Sequence, residues 1–437
     1  MTATDTIYAL STVPGRSAIA VVRVSGPQAH QSLQALSDEA GLPPARLLAR
    51  RRLIAPDGTM IDEAMVVRFD APASYTGENI VEYQIHGGVS VAGALVRALA
   101  GLPGLRAAEP GEFSRRAFDN EKMDLTGAEG VIDLIEAETD SQRRQALHQM
   151  DGAARQVCED WTERLVTLLA VLEASIDFAD DDLPAEAFQV DRPALTALRQ
   201  EIENHIARGE AGERLRLGVR VALIGAPNVG KSSLLNALAR RDAAIVSDIA
   251  GTTRDAIEVH LNIAGNAVIL TDTAGLRDTE DSIERQGVDR ARRAAEVADL
   301  VILVRDARDP EFGPGTAPVP EDRCLMVWNK ADLAAPVGTG LAVSAKTGNG
   351  LADLEAAMAQ AIETRFAVGE GAVMTRARYR EALADCLASI DGALAGTDLI
   401  LVVEDLRRAV RAIGRITGRV DVEDILDRIF SSFCIGK

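Results

Sequence analysis

A chain of 437 residues with 47% hydrophobic and 26% charged residues has the composition of ordinary globular protein and room for about three domains at roughly 150 residues each. Its formal net charge of −19 opposes long-range attraction to nucleic acid, which argues against broad nonspecific binding and confines any RNA contact to local basic patches. No apolar run approaches the ~20 residues that cross a bilayer, residues 1–10 lack the basic-then-apolar order of a secretory signal, and Cys158, Cys324, Cys386 and Cys434 stand too far apart for a zinc site or disulfide framework. A cytoplasmic protein without a membrane span is expected.

Residues 1–120 mix short β-rich runs at 18–24 and 64–69 with Gly/Pro turns and a helical stretch near 91–100, which predicts an α+β domain. Over 121–217 the composition shifts to Ala, Leu, Glu and Arg, and Leu165, Leu168, Leu169, Leu172 and Ile176 recur at helical spacing. Strand and helix alternate over 218–368, the pattern of an α/β domain. Within it, Asp306, Ala307, Arg308 and Asp309 open an irregular Pro/Gly-rich loop that runs to Pro320. Helical periodicity returns over 369–437, where Leu406, Ala409, Val410 and Ile413 mark one apolar stripe. Two helical segments around an α/β segment predict an α/β domain inserted into a discontinuous helical domain. The local basic clusters are Arg46 with Arg50, Arg51 and Arg52, and Arg407, Arg408, Arg411, Arg415 and Arg419. Solvated faces are the plainer reading of each, and RNA contact is the alternative.

The apolar run 219–224 feeds Gly225-Ala226-Pro227-Asn228-Val229-Gly230-Lys231-Ser232, a full G-x-x-x-x-G-K-S, and Ser233 begins a helix-forming stretch. Glycines let the backbone approach phosphates, the helix N-terminus holds negative charge, Lys231 reaches the β/γ-phosphates and Ser232 ligates magnesium. A second strand runs into Asp272-Thr273-Ala274-Gly275, a D-x-x-G that places a carboxylate near magnesium and an N–H near the γ-phosphate. Asn329-Lys330-Ala331-Asp332 follows a third strand, and its Asp332 can accept from both the N1–H and the amino group of guanine. Hydrogen bonds to a charged group are worth about 1.5–3 kcal/mol each, enough to select guanine over adenine. Ser344-Ala345-Lys346 completes the base pocket. The polar stretch Ser247-Asp248-Ile249-Ala250-Gly251-Thr252-Thr253-Arg254-Asp255 lies where a switch loop belongs, and Thr253 is expected to supply the second magnesium hydroxyl. Leu276 occupies the position where Ras-like enzymes carry the glutamine that orients the attacking water, so another group must do this.

Further motifs extend over the chain: Asp5-Thr6-Ile7, Val22-Arg23-Val24-Ser25-Gly26, Tyr75-Thr76-Gly77-Glu78-Asn79, His86-Gly87-Gly88, Pro110-Gly111-Glu112-Phe113-Ser114, Ala117-Phe118 and Lys122-Met123-Asp124-Leu125. With the Gly251 to Asp255 motif and the terminal Phe433-Cys434-Ile435-Gly436-Lys437, the sequence resembles the MnmE/TrmE family of bacterial and organellar tRNA-uridine modification GTPases. The resemblance implies an N-terminal tetrahydrofolate-binding and dimerisation domain, a discontinuous helical domain, and an inserted Ras-like G domain. It also implies an FAD-containing MnmG/GidA partner, a homodimer, and addition of an aminomethyl or carboxymethylaminomethyl group to C5 of the wobble uridine of certain tRNAs, with 5-formyl- or methylene-tetrahydrofolate as one-carbon source. In this family potassium stands where other GTPases use an arginine finger, and the matching positions are Asn228, Ser247, Ile249 and Thr252. Glu284 matches the family's water-orienting acid. Folate contacts carry over to Arg23, Glu82, Lys122 and Lys437, and Cys434 is as readily a bystander as a reactive thiol. The tail is expected to reach the N-terminal domain across the dimer. A regulatory ribosome-assembly GTPase without modification chemistry is the rival reading.

Overall fold

The computed structural model describes residues 5–177, 191–241, 257–272, 293–309, 320–366, 374–420, 423–433 and 436. The chain divides into two compact units, 1–132 with 414–437, and 133–413. Its boundaries differ from the segments 1–120, 121–217, 218–368 and 369–437 expected from the sequence, since they fall inside both helical segments, after 132 and after 413.

The first unit opens with β1 (Thr6–Leu10), β2 (Ile19–Ser25), α1 (Ala29–Leu36), β3 (Ala49–Ile54), β4 (Met60–Phe69), β5 (Ile80–His86), α2 (Val89–Ala100), β6 (Leu105–Ala107), α3 (Glu112–Asp119) and the start of α4 (Leu125–Glu136). Its strands form one sheet in the order β3-β4-β5-β2-β1-β6, antiparallel except for the β1–β6 pair. Period-2 alternation explains the two faces of β2: Ala20, Val22 and Val24 enter the core with Leu33, Leu36, Tyr83 and Leu99, whereas Val21 and Arg23 lie on the half-buried opposite face. Arg23 stands directly across from Glu82 of β5.

The second unit continues with α5 (Asp140–Met150), α6 (Ala153–Asp177), α7 (Arg192–Leu217), β7 (Val219–Ile224), α8 (Lys231–Arg241), β8 (Ile257–Ile263), β9 (Asn266–Asp272), β10 (Leu300–Asp306), β11 (Cys324–Asn329), β12 (Leu341–Ala342), α9 (Leu351–Phe366), α10 (Ala377–Ala395) and most of α11 (Leu399–Thr417). Thr139 and Gln142 close a capping box on α5, and the Asp191 side chain caps α7 ahead of Pro193. Leu165 and Leu172 of α6 are buried, whereas Ile176 in the last turn is exposed. On α11, Leu406, Ala409 and Ile413 are buried as the stripe predicts, with Ala412 beside them and Val410 half-buried.

Strand order β12-β11-β10-β7-β9-β8 is parallel except for β8. Helices cover both faces, so β7 and β10 are near-continuous apolar runs. Leu234, Leu235 and Leu238 of α8, with Leu354, Met358 and Ile362 of α9, share a core with Val221, Leu223, Leu270 and Ile302. Against the other face, Ala295 and Ala298 pack on Ala222, Ile224 and Val301. At its far tip, the β8–β9 hairpin offers the Gly265 carbonyl to the Ser141 N–H of α5 at 3.2 Å.

The chain returns to the first unit with α12 (Glu423–Ser431). Leu426, Phe430 and Phe433 join Leu125, Ala128 and Ile132 in one apolar cluster. Gly111 makes this packing possible: it is left-handed at φ 68°, and a Cβ there would lie 2.3 Å from the Phe430 carbonyl oxygen. Gly436 then lies against Leu10 and Ser11 of its own chain, and Ser11 Oγ donates to its carbonyl at 3.2 Å. At Gly436, the tail meets β1, the turn that follows it and β2 of its own chain.

Candidate functional site: a guanine-nucleotide site and a cationic face

The nucleotide motifs fall at the carboxyl ends of β7, β9, β11 and β12, where parallel strands leave a crevice for ligands. Between β7 and α8 the loop turns through left-handed Asn228 (φ 62°) and Gly230 (φ 96°). A Cβ at Gly225 would meet the Val304 carbonyl at 2.3 Å, and one at Gly230 would meet Asn329 Nδ2 at 2.3 Å. Glycine at both positions thus lets the loop close down on its neighbours. At the start of α8, the N–H groups of Lys231, Ser232 and Ser233 have no preceding helical carbonyl to bond, and the helix dipole adds positive potential there. Lys231 is buried, and its ammonium donates to the Gly225 and Ala226 carbonyls at 2.8 and 2.9 Å. Burial pushes its pKa down from the ordinary lysine value, against the opposing pull of Asp272.

Ser232 Oγ donates to Asp272 Oδ2 at 2.6 Å. A hydroxyl and a carboxylate so placed are hard oxygen donors of the kind magnesium takes beside phosphate, and Asp272 thus joins Ser232 as a candidate ligand. When bound, the ion would neutralise phosphate charge.

The base corner is tied to the phosphate loop by Asn329, which is 2% exposed. Its Nδ2 donates to the Val229 carbonyl at 2.8 Å, while its Oδ1 accepts from Ala345 N–H at 3.1 Å. Asn329 therefore orders the loop and the Ser344-Ala345-Lys346 segment together. Ala331 N–H donates to the Val343 carbonyl at 3.0 Å, and buried Ser344 donates from Oγ to Asp332 Oδ1 at 2.6 Å. The exposed Asp332 carboxylate is thus oriented from behind, and Lys346 is exposed nearby in sequence. Ser247, Asp248, Ile249, Ala250, Gly251, Thr252, Thr253, Thr273, Ala274, Gly275, Glu284, Cys434 and Lys437 lie outside the described residues.

Asp306 does not open the irregular loop expected at 306–320 but is the last residue of β10. Its carboxylate accepts from Lys330 Nζ at 2.7 Å and from Arg308. No motif announces this contact, because it depends on the β10–β11 register that sets Asp306 opposite Asn329.

In the first unit, Arg23 Nε donates to Glu82 Oε1 at 2.9 Å. Its guanidinium lies 5.4 Å from the Tyr75 ring centre and 5.7 Å from that of Phe113, and Nη1 donates to the Gly436 carbonyl at 3.5 Å. Ser25 Oγ donates to Glu78, whose oxygens also accept from buried Arg116 at 3.2 Å. These bonds hold the turn at Gly77, where a Cβ would meet the Lys122 stem at 3.3 Å. Arg23 and Glu82 are thus brought together, with exposed Lys122 beside the neighbouring turn. Several arginines of the basic clusters have acidic neighbours: Arg51 pairs with Glu39 at 2.8 Å, Arg50 approaches Glu63, Arg52 approaches Asp38, and Arg407 pairs with Glu173 at 2.6 Å.

A parallel sheet feeding a G-x-x-x-x-G-K-S loop, together with a base-reading Asn-Lys-x-Asp corner bonded to that loop, defines a P-loop GTPase. The family model described as "MnmE helical domain" matches residues 125–434, and that described as "GTP-binding protein TrmE N-terminus" matches residues 6–122. The chain belongs to the MnmE family of tRNA modification GTPases and is a GTP hydrolase. The tRNA modification GTPase MnmE of Parvibaculum lavamentivorans is 53% identical to it, with 99% of this chain and 100% of that protein covered. The protein of the same description from Paramagnetospirillum magneticum is 49% identical over the same shares. Among solved structures, Aquifex aeolicus Era bound to GDP and AlF4− is 28% identical over 32% of this chain and 56% of that chain, at a TM-score of 0.26, a likeness too low to bear on the fold. Among the described residues, no helix is long and apolar enough to cross a membrane.

Proposed function

We propose that this cytoplasmic GTPase acts as a homodimer with an FAD-containing MnmG/GidA partner. Together they add an aminomethyl or carboxymethylaminomethyl group to C5 of the wobble uridine of certain tRNAs. The one-carbon unit comes from 5-formyl- or methylene-tetrahydrofolate, held by Arg23, Glu82, Lys122 and Lys437 in an N-terminal domain (1–120). GTP is bound in an inserted G domain (218–368) flanked by the two parts of a helical domain (121–217 and 369–437). Magnesium is held by Ser232 and Thr253 with Asp272. Potassium, held by Asn228, Ser247, Ile249 and Thr252, would offset the negative charge that develops between the β- and γ-phosphates. Glu284 orients the attacking water, the role that Leu276 leaves unfilled.

The observation that carries the folate reading is the Arg23 cluster: a guanidinium paired to Glu82, flanked by Tyr75 and Phe113, and bonded to the tail at Gly436. It offers charge, aromatic surface and backbone acceptors on one sheet face, the chemistry that a pterin with a glutamate tail requires. A ribosome-assembly GTPase has no use for it. Calorimetric titration of 5-formyl-tetrahydrofolate into the full chain and into a chain lacking residues 434–437 tests the reading, with melting temperature as the control for folding. Affinity should fall on truncation at unchanged melting temperature. Equal affinity removes the tail from the site, and no binding to the full chain leaves the ribosome-assembly reading.

A further inference from the structure

We propose that Asp306 is a positioning residue for guanine-nucleotide binding: it holds the Lys330 ammonium against the Asn228 carbonyl and so locks the phosphate loop to the base-recognition corner. Lys330 Nζ donates to the Asn228 carbonyl at 2.6 Å and to Asp306 Oδ2 at 2.7 Å. The two loops joined by this ammonium are both in uncommon backbone conformations, Asn228 at φ 62° and Lys330 at φ 64°. A non-glycine residue in the left-handed region persists where surrounding bonds over-determine it, and the ammonium supplies one such bond to each side.

A lysine stem is flexible and its head is a compact, strongly hydrated charge, so a carbonyl alone holds it weakly. Asp306 supplies what the carbonyl lacks. Its side chain is 12% exposed, and its position is fixed by the strands: it lies opposite Asn329 in register, and the Ala307 N–H donates to the Asn329 carbonyl at 2.9 Å. Arg308 braces the carboxylate from the far side through its backbone N–H at 3.0 Å and its guanidinium at 2.8 and 3.1 Å. These bonds, with those from Lys330, hold the Asp306 carboxyl well below the usual carboxylate range, so the anion that Lys330 meets is permanent at neutral pH. Among the described residues the Asp306 carboxylate bonds to Lys330 and Arg308 rather than to the phosphate-loop backbone or the Asp332 carboxylate, and so acts through Lys330.

The consequence is a retention device: withdrawing the charge at 306 frees Lys330, loosens Asn228, and speeds nucleotide loss without removing a group that meets the reacting atoms. Stopped-flow release of a fluorescent GDP from the full chain, with kcat and KM for GTP, tests this. Asp306→Asn should release GDP about tenfold faster, the effect expected of losing one charged partner. KM should rise in step while kcat changes less than about twofold, a split expected of lost uniform binding. Asp306→Glu, which keeps the charge on a longer stem, should recover part of the retention. In a Lys330→Ala background, Asp306→Asn should add less than about twofold, because the contact it would break is already gone. Should Asp306→Asn fail to fold, as judged by melting of the nucleotide-free chain, Asp306→Ser takes its place in the same cycle. Wild-type release from the neutral variant, or losses that multiply in the double mutant, would overturn the proposal.

Discussion

The nucleotide crevice and the Arg23 face are built on two sheets of different kinds. In the crevice the strands run parallel, so their carboxyl ends gather the following loops at one edge, and each loop brings a short contiguous motif. The site is largely backbone: glycines that admit close approach, helix N–H groups, and Asn329 stitching two loops together. On the Arg23 face the sheet is antiparallel, and the groups come from its middle. Arg23 meets Glu82 across 59 positions of sequence and Gly436 across 413. A parallel edge concentrates chemistry in sequence as well as in space, whereas an antiparallel face concentrates it in space alone.

If that contrast is correct, single changes in a crevice motif should be severe and specific. The largest effect is expected for Asp332→Asn, which exchanges an acceptor facing two guanine donors for an amide. At about 1.5–3 kcal/mol per charged hydrogen bond, GTP affinity should fall by at least about a hundredfold while xanthosine triphosphate gains. Direct titration of both nucleotides measures it, and unchanged GTP affinity would return Asp332 to the surface.

On the antiparallel face the load is shared among scattered groups, so Arg23→Ala should weaken 5-formyl-tetrahydrofolate by roughly ten- to a hundredfold, the range for one charged, partly buried partner. Calorimetry reads the loss; a drop as complete as that of Asp332→Asn for GTP would break the comparison. Gly111→Ala sharpens it from the packing side. An added methyl meets the Phe430 carbonyl in a left-handed backbone, and overpacking of this kind costs about 1–3 kcal/mol. Thermal or urea unfolding should report that loss in the first unit, with GTP affinity retained.

The smallest effect concerns acid. Asp306 has a folded pKa depressed from the ordinary 3.8, first by Arg308 and then by Lys330. Its contribution is therefore present above about pH 4 and fades as pH falls through the lowered folded value. GDP retention between pH 5 and 8 should show no titration from this group, and a midpoint inside that window that vanishes in Asp306→Asn would contradict the ion pair.

The same contrast governs how far the sequence could be read. The 219–224 strand, the phosphate loop and Asn329 to Asp332 were legible because local order fixes them; the β-rich runs at 18–24 and 64–69 and the helix near 91–100 appear as β2, β4 and α2 with shifted ends. Asp306 was not legible, since its partner Lys330 lies 24 positions away and their meeting depends on strand register. The arginines after 406 read as an exposed basic series, yet Glu173, 234 positions earlier, pairs with Arg407. Tyr75 and Phe113 appeared in motifs with no hint that both would flank Arg23.

The return of α12 to the first unit has a consequence for how the protein is made. The sheet of that unit can form as soon as its strands emerge from the ribosome. The cluster of Leu125, Ala128 and Ile132, however, is completed by Leu426, Phe430 and Phe433, which are synthesised after the whole of 133–413. At about 5–20 residues per second, translation of that span lasts on the order of tens of seconds. Throughout that interval the nascent chain carries an apolar face without its cover, so residues 426–433 finish the unit that residues 6–132 began.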